Sequence, residues 1–221
     1  MDPLVARLDT AGHSSVVVDL HCDDPAATLE DYASAARGAL PDDITDVVLV
    51  GYSFGGFTAS TIAAEHPDLP MVYIAAWIPA PGVSVIELFA GGDPFVEGEE
   101  AGLAAFGGLI LSGGPGLCAL NIDAYVSALE ADEQATARAY LERTQRPQGI
   151  AVLRQPWQGQ LRTTGTTYIH TTGDTLVPPE AQLRMAASVG ARVVPIDTDH
   201  GPFRERPERL AELVLAAARP T

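Results

Sequence analysis

The stretch that most constrains this chain is DVVLV at residues 46–50, which runs without a break into Gly51-Tyr52-Ser53-Phe54-Gly55-Gly56. A short, continuously apolar and β-branched run reads as a buried strand of a parallel sheet. Residues 58–65 read as a helix closed by His66-Pro67. Gly-x-Ser-x-Gly held between a strand and a helix predicts a tight turn. The serine there takes strained backbone angles, and neighbours without Cβ flank it. Such a turn lifts Oγ above the strand end and places the following amide, that of Phe54, at a helix N-terminus. Developing negative charge is favoured at that point. The competing reading is a glycine-rich structural turn with an incidental serine; the strand before and the helix after favour the nucleophile.

Around this motif the pattern alternates strand and helix. Residues 3–10 predict a short amphipathic helix ended by Gly12, and residues 15–20 (SVVVDL) predict a buried strand. Thr28 with Asp31 resembles a capping pair opening a helix that runs to about residue 40. Residues 71–77, 166–170 and 192–196 predict further strands, and residues 180–188 and 207–218 further helices. Between about residues 78 and 162 the alternation stops. Glycine pairs there surround one expected helix over 123–143. The expectation is an α/β chain: a mainly parallel sheet with helices on both faces, one domain over 1–221, and a cap inserted at about 78–162 beside the carboxyl ends of the strands.

A serine hydroxyl is a weak nucleophile until a base takes its proton. Of the five histidines, His13 and His66 read as structural and His170 as a core or rim residue at a strand end. His200, in Asp199-His200-Gly201 between the last strand and the last helix, is the expected base. The base needs a carboxylate to hold its tautomer. Asp174 follows the preceding strand and completes the order Ser, Asp, His; Asp197 and Asp199 compete by nearness in sequence but present their carboxylates poorly to the inner ring nitrogen. An Asx-type turn before Val177-Pro178 is the structural alternative for Asp174, and one carboxylate can do both jobs.

The elbow, the segment Tyr73-Ile-Ala-Ala-Trp77-Ile78-Pro79 with Pro81-Gly82, the loop Asp174-x-x-Val177-Pro178 and Asp199-His200-Gly201 together resemble the α/β-hydrolase superfamily. Within it the chain is similar to the small esterases grouped with plant methylesterases and hydroxynitrile lyases. The resemblance covers almost the whole chain. It implies cofactor-free acyl chemistry by Ser53, His200 and Asp174 beneath a mobile cap, with the Phe54 amide as one oxyanion donor. Two departures stand out. Family members normally begin with strands before the first helix found here, one of which leads to a loop supplying a second oxyanion amide. This chain begins at that helix, so an N-terminally shortened sheet with an open edge is expected, with weaker hydrolysis and self-association through that edge as consequences. Hydroxynitrile lyases also carry a lysine after the catalytic histidine, where this chain has Gly201.

The expected function is hydrolysis of a small, largely apolar ester or thioester. The alternatives are a cofactor-independent lyase, cyclase or acyltransferase on the same fold, or a non-catalytic ligand-binding member. Tyr52, Trp77 and Trp157 are candidate substrate contacts, with Phe95, Phe106 and Phe203 as further apolar lining. No cofactor is expected, and no metal: the acidic run Asp93, Glu97, Glu99, Glu100 shows no recognisable ligand spacing and reads as a solvated loop. A formal net charge of −16 with only 13 Lys and Arg argues against a nucleic-acid partner. No apolar run approaches the ~20 residues that span a bilayer, no secretory leader is recognised, and Cys22 and Cys118 read as reduced thiols. A cytoplasmic location is expected, with a small molecule as substrate.

Overall fold

A computed structural model of the chain describes residues 1–95 and 97–218. In chain order the elements are α1 (Asp2–Thr10), α2 (Leu29–Ala39), β1 (Leu49–Tyr52), α3 (Gly55–Glu65) and β2 (Met71–Ile74). They continue with α4 (Val85–Ala90), α5 (Glu99–Ala104), β3 (Ile110–Gly114), β4 (Leu117–Leu120), α6 (Ile122–Ser127), α7 (Gln134–Thr144), β5 (Gln148–Gly149) and α8 (Ile150–Leu153). The last are β6 (Thr166–Thr171), α9 (Pro179–Ser188), β7 (Arg192–Ile196), α10 (Pro202–Glu205) and α11 (Pro207–Ala217). The chain divides into two compact units: residues 1–18, 33–82 and 157–221 form the first, and residues 19–32 and 83–156 the second.

The first unit is built on a parallel sheet of order β1-β2-β6-β7 flanked by helices. Gly51 pairs with Tyr73, Tyr73 with Tyr168, and Tyr168 with Val193. Every strand of β2 and β6 is buried throughout, as expected of strands covered on both faces. Helix α3 packs on β1, α9 on β6 and β7, and α11 on β2 and β6. The core gathers Leu49, Ile62, Met71, Tyr73, Tyr168 and Ala186. Full burial of such a large apolar side chain contributes roughly 1.5–3 kcal/mol. Because the four strands run the same way, the loops after β1, β6 and β7 emerge along one edge of the sheet, where ligands bind in open α/β sheets.

Three sequence expectations need correction. Residues 15–20 form no strand: Val16 and Val17 are 69% and 59% exposed, and β1 rather than this segment begins the sheet. An apolar run becomes a strand only where a neighbour accepts its backbone hydrogen bonds, and among the described residues none does so here. The strand expected over 71–77 ends at Ile74, because Ala75 turns to φ +46°. The helix expected over 123–143 is two, α6 and α7. The acidic Glu130, Asp132 and Glu133 lie between them in the chain, just before the positive end of α7. The Thr28–Asp31 cap is present in both directions, Asp31 accepting from the Thr28 amide at 2.9 Å and Thr28 Oγ1 from the Asp31 amide at 3.1 Å.

The second unit contains an antiparallel sheet, β3-β4-β5, that the sequence pattern did not suggest. Its hairpin turns at Pro115, between Gly114 (φ +118°) and Gly116 (φ +71°), backbone angles that favour glycine. Ile86, Phe95, Cys118 and Ile150 form its apolar cluster. Arg146 bonds Asp19 at 2.8 Å and Asp23 at 2.5 Å, tying the 19–32 segment to this unit. Cys22 and Cys118 are both free thiols. No helix among the described residues is long and apolar enough to cross a membrane.

Candidate active site

The turn after β1 has the strain expected of it. Ser53 sits at φ +51°, one of three non-glycine residues with positive φ among the described residues. Its carbonyl accepts from the amides of Gly56 (3.1 Å) and Trp77 (3.0 Å), and its amide donates to the Ile74 carbonyl (3.3 Å). These bonds over-determine a backbone angle that a serine adopts only at a cost of order 1–3 kcal/mol. The glycines have unequal parts. A Cβ on Gly51 would lie 2.9 Å from Ala59 Cβ, and one on Gly56 would lie 2.2 Å from the Trp77 carbonyl oxygen, whereas one on Gly55 meets nothing within 4 Å. Close helix–strand approach therefore needs Gly51 and Gly56. Phe54 follows as the N-cap of α3, so its amide belongs to the positive end of that helix.

The other two strand ends bring the partners in. His200 Nε2 lies 2.9 Å from Ser53 Oγ, and His200 Nδ1 lies 2.8 Å from Asp174 Oδ2. The aspartate side chain is fully buried and the histidine side chain 7% exposed. Asp174 Oδ1 also accepts the amides of Leu176 and Val177, each at 2.8 Å, so this carboxylate closes an Asx-type turn while it faces the imidazole. The rivals are engaged elsewhere: Asp197 accepts from Thr172 Oγ1 at 3.0 Å, and Asp199 is ion-paired with Arg204. A His200 protonated at Nδ1 presents the Nε2 lone pair to the serine hydroxyl. After proton transfer, the imidazolium remains against a buried carboxylate.

The histidine loop is held from several sides. Tyr52 donates its hydroxyl to the His200 carbonyl at 2.9 Å, and its ring lies 5.0 Å from the imidazole and edge-on to Phe203. Arg204, with Asp199 and Glu205, forms a buried ion cluster, and the Asp199 amide donates to Glu205. A Cβ at Gly201 would lie 3.2 Å from Asp199 Oδ1, a tight approach. Gln182, completely buried in α9, reaches Thr171 and Asp174.

Of the residues singled out from sequence, Ser53, Asp174, His200 and Tyr52 converge, and Phe54 adjoins them in the chain. Trp77 is buried, with its amide on the Ser53 carbonyl, and Trp157 is buried with its indole N–H donated to Thr61 at 2.9 Å. Asp93 is ion-paired with Arg154, and Glu99 accepts the Gly116 amide. Burial pushes the Cys118 thiol up to about 11 and raises that of Cys22, so neither is an activated nucleophile. The sequence reading missed Thr171, Gln182 and Arg204. Gln182 left a faint signal, as a polar residue on the helical face it shares with Met185, Ala186 and Val189.

A model of the alpha/beta hydrolase family matches residues 1–213. A pyrethroid hydrolase of Sphingobium wenxiniae is 27% identical over 216 residues, covering 92% of this chain and 71% of that protein. Two solved structures share the fold. The pyrethroid hydrolase of Sphingobium faniae has a TM-score of 0.71 at 22% identity, over 98% of this chain and 90% of the other. A methylesterase from Arabidopsis has a TM-score of 0.69 at 20% identity, over 98% and 91%.

Proposed function

The chain belongs to the alpha/beta hydrolase family, and on that premise we propose that it hydrolyses a small, largely apolar carboxylic ester through Ser53, His200 and Asp174. The observation that carries the reading is the unbroken chain Ser53 Oγ–His200–Asp174, at 2.9 and 2.8 Å, set on a strained strand-to-helix turn. His200 takes the serine proton as Oγ attacks the ester carbonyl and passes it to the departing alkoxide, which leaves an acyl-enzyme, a free alcohol and a neutral imidazole. Water, activated by the same imidazole, then releases the acid. The Phe54 amide, at the N-terminus of α3, stabilises the oxyanion of both tetrahedral intermediates. No step requires a cofactor. The names of the relatives, pyrethroid hydrolase and methylesterase, support ester over amide substrates.

An aryl ester of a short-chain acid and a fluorophosphonate probe test this. The protein is expected to turn over the ester and to be labelled at Ser53. In Ser53→Ala labelling disappears, and kcat/KM falls by about 10⁶ with Tm little changed. Asp174→Asn is expected to cost about 10⁴ in kcat. An unlabelled wild-type protein, or an active Ser53→Ala protein, would show that the serine does no acyl chemistry.

A further inference from the structure

We propose that Thr171 and Gln182 are positioning residues that set the direction of the hydrogen-bond chain ending at Ser53, an inference that rests on the serine-hydrolase reading above. Gln182 has no solvent exposure. Its Oε1 accepts the Thr171 amide at 3.0 Å. Its Nε2 lies 2.7 Å from the Val177 carbonyl, 2.8 Å from Thr171 Oγ1, 3.1 Å from Asp174 Oδ2 and 3.4 Å from the Thr171 carbonyl. An amide nitrogen donates only, and an amide oxygen accepts only. Turning this amide over would set oxygen against two carbonyls and a carboxylate, and nitrogen against an N–H. Its orientation is therefore decided by its surroundings.

Polarity propagates from that fixed point. Thr171 Oγ1 accepts a hydrogen bond from Gln182, and its own single proton points to Asp174 Oδ2, 2.8 Å away. Asp174 then has donors on both oxygens: the Leu176 and Val177 amides on Oδ1, and Thr171 and Gln182 on Oδ2. A carboxylate accepts only, and these four neighbours are all donors. The remaining group on Oδ2, His200 Nδ1, must donate. A neutral imidazole carries one proton, so Nε2 is left as the acceptor facing Ser53 Oγ. An amide that does not itself bond His200 thus holds the base in its productive tautomer and keeps the carboxylate edge aimed at the ring.

A role confined to pinning α9 against β6 would change stability and leave turnover per folded molecule alone, so the test reads kcat and KM separately. Thr171→Val keeps the shape and removes the hydroxyl; Thr171→Ser keeps the hydroxyl. For an aryl ester, Thr171→Val is expected to lower kcat by about 10–100-fold, the loss typical of small misplacement of a reacting group, with KM little changed. Thr171→Ser is expected to restore most of that loss. The far-downfield proton resonance of His200 Nδ1–H should move or broaden in Thr171→Val and return in Thr171→Ser. Gln182→Met, measured in the same way, carries the test if Thr171→Val does not fold. Wild-type kcat with an unmoved resonance in Thr171→Val, or in Gln182→Met, would overturn the inference, as would Thr171→Ser no better than Thr171→Val. If Ser53→Ala is dead and Thr171→Val fully active, only the positioning role fails; if Ser53→Ala is active, both readings fall.

Discussion

Two histidines of the first unit look alike in composition and burial and differ in everything that matters for catalysis. His170 is the next-to-last residue of β6 and His200 follows β7, the strand paired with it; they are 9% and 6% exposed, and both lie near Asp174. His200 has both ring nitrogens engaged, one on a carboxylate and one on a hydroxyl. Among the described residues His170 Nε2 is buried without a hydrogen-bond partner, and burial holds its imidazole below the ordinary histidine range against the opposing pull of the Pro179 backbone and Asp174. Burial near an acid does not make a base. Two directed nitrogens do, because only then is the tautomer decided and the lone pair aimed.

The largest effect that can break this contrast is on rate. His200→Gln should lower kcat by about 10⁴–10⁶, whereas His170→Phe should stay within a few-fold of wild type. Equal losses in steady-state assays of the two variants would place His170 in the mechanism and end the comparison.

A smaller effect sharpens it. Because the folded protein disfavours protonation of His170, the unfolded chain binds that proton first. The group's contribution to stability is complete above about pH 6.5 and is lost as pH falls from there through the lowered folded value. Urea midpoints measured on either side of that pH should fall less in His170→Phe than in wild type. An identical acid loss in both proteins would show that His170 titrates normally. The smallest effect belongs to the exposed His13: His13→Ala should change stability by no more than about 0.5 kcal/mol and leave kcat unaltered. A larger change in the unfolding curve would mean that exposure is a poor guide among these histidines.

Much of the site was legible before any coordinates, and the reason is local. Residues 46–56 carry strand, turn and helix signals in one continuous stretch, and Asp174 and His200 each follow a strand by a few residues. The surrounding support was not legible, because it is made across distance. The partners of Gln182 lie five to eleven residues back in the chain, outside its own helix, and Tyr52 meets the His200 carbonyl 148 positions on. The valines make the same point for the fold. Val72 is completely buried and Val16 is 69% exposed, although both stand in short apolar runs of similar composition. The difference is that β2 has a parallel neighbour on each side, while among the described residues the 15–20 segment has no strand to pair with.

The sequence by itself determined the order Ser53, Asp174, His200 along the chain, the parallel strands that carry them, and the glycines that let a helix start beside Ser53. Those are properties of adjacent residues: backbone strain, side-chain branching and the period of apolar positions act within a few peptide units. Tertiary structure alone decided which apolar run became a strand, where the 123–143 helix broke, which glycine was crowded, and which buried histidine was given two partners. Each of those is a relation between segments distant in the chain. It has no energy until pairing and burial bring both halves together, and then an unmet hydrogen bond or a displaced carbonyl costs enough to choose between alternatives.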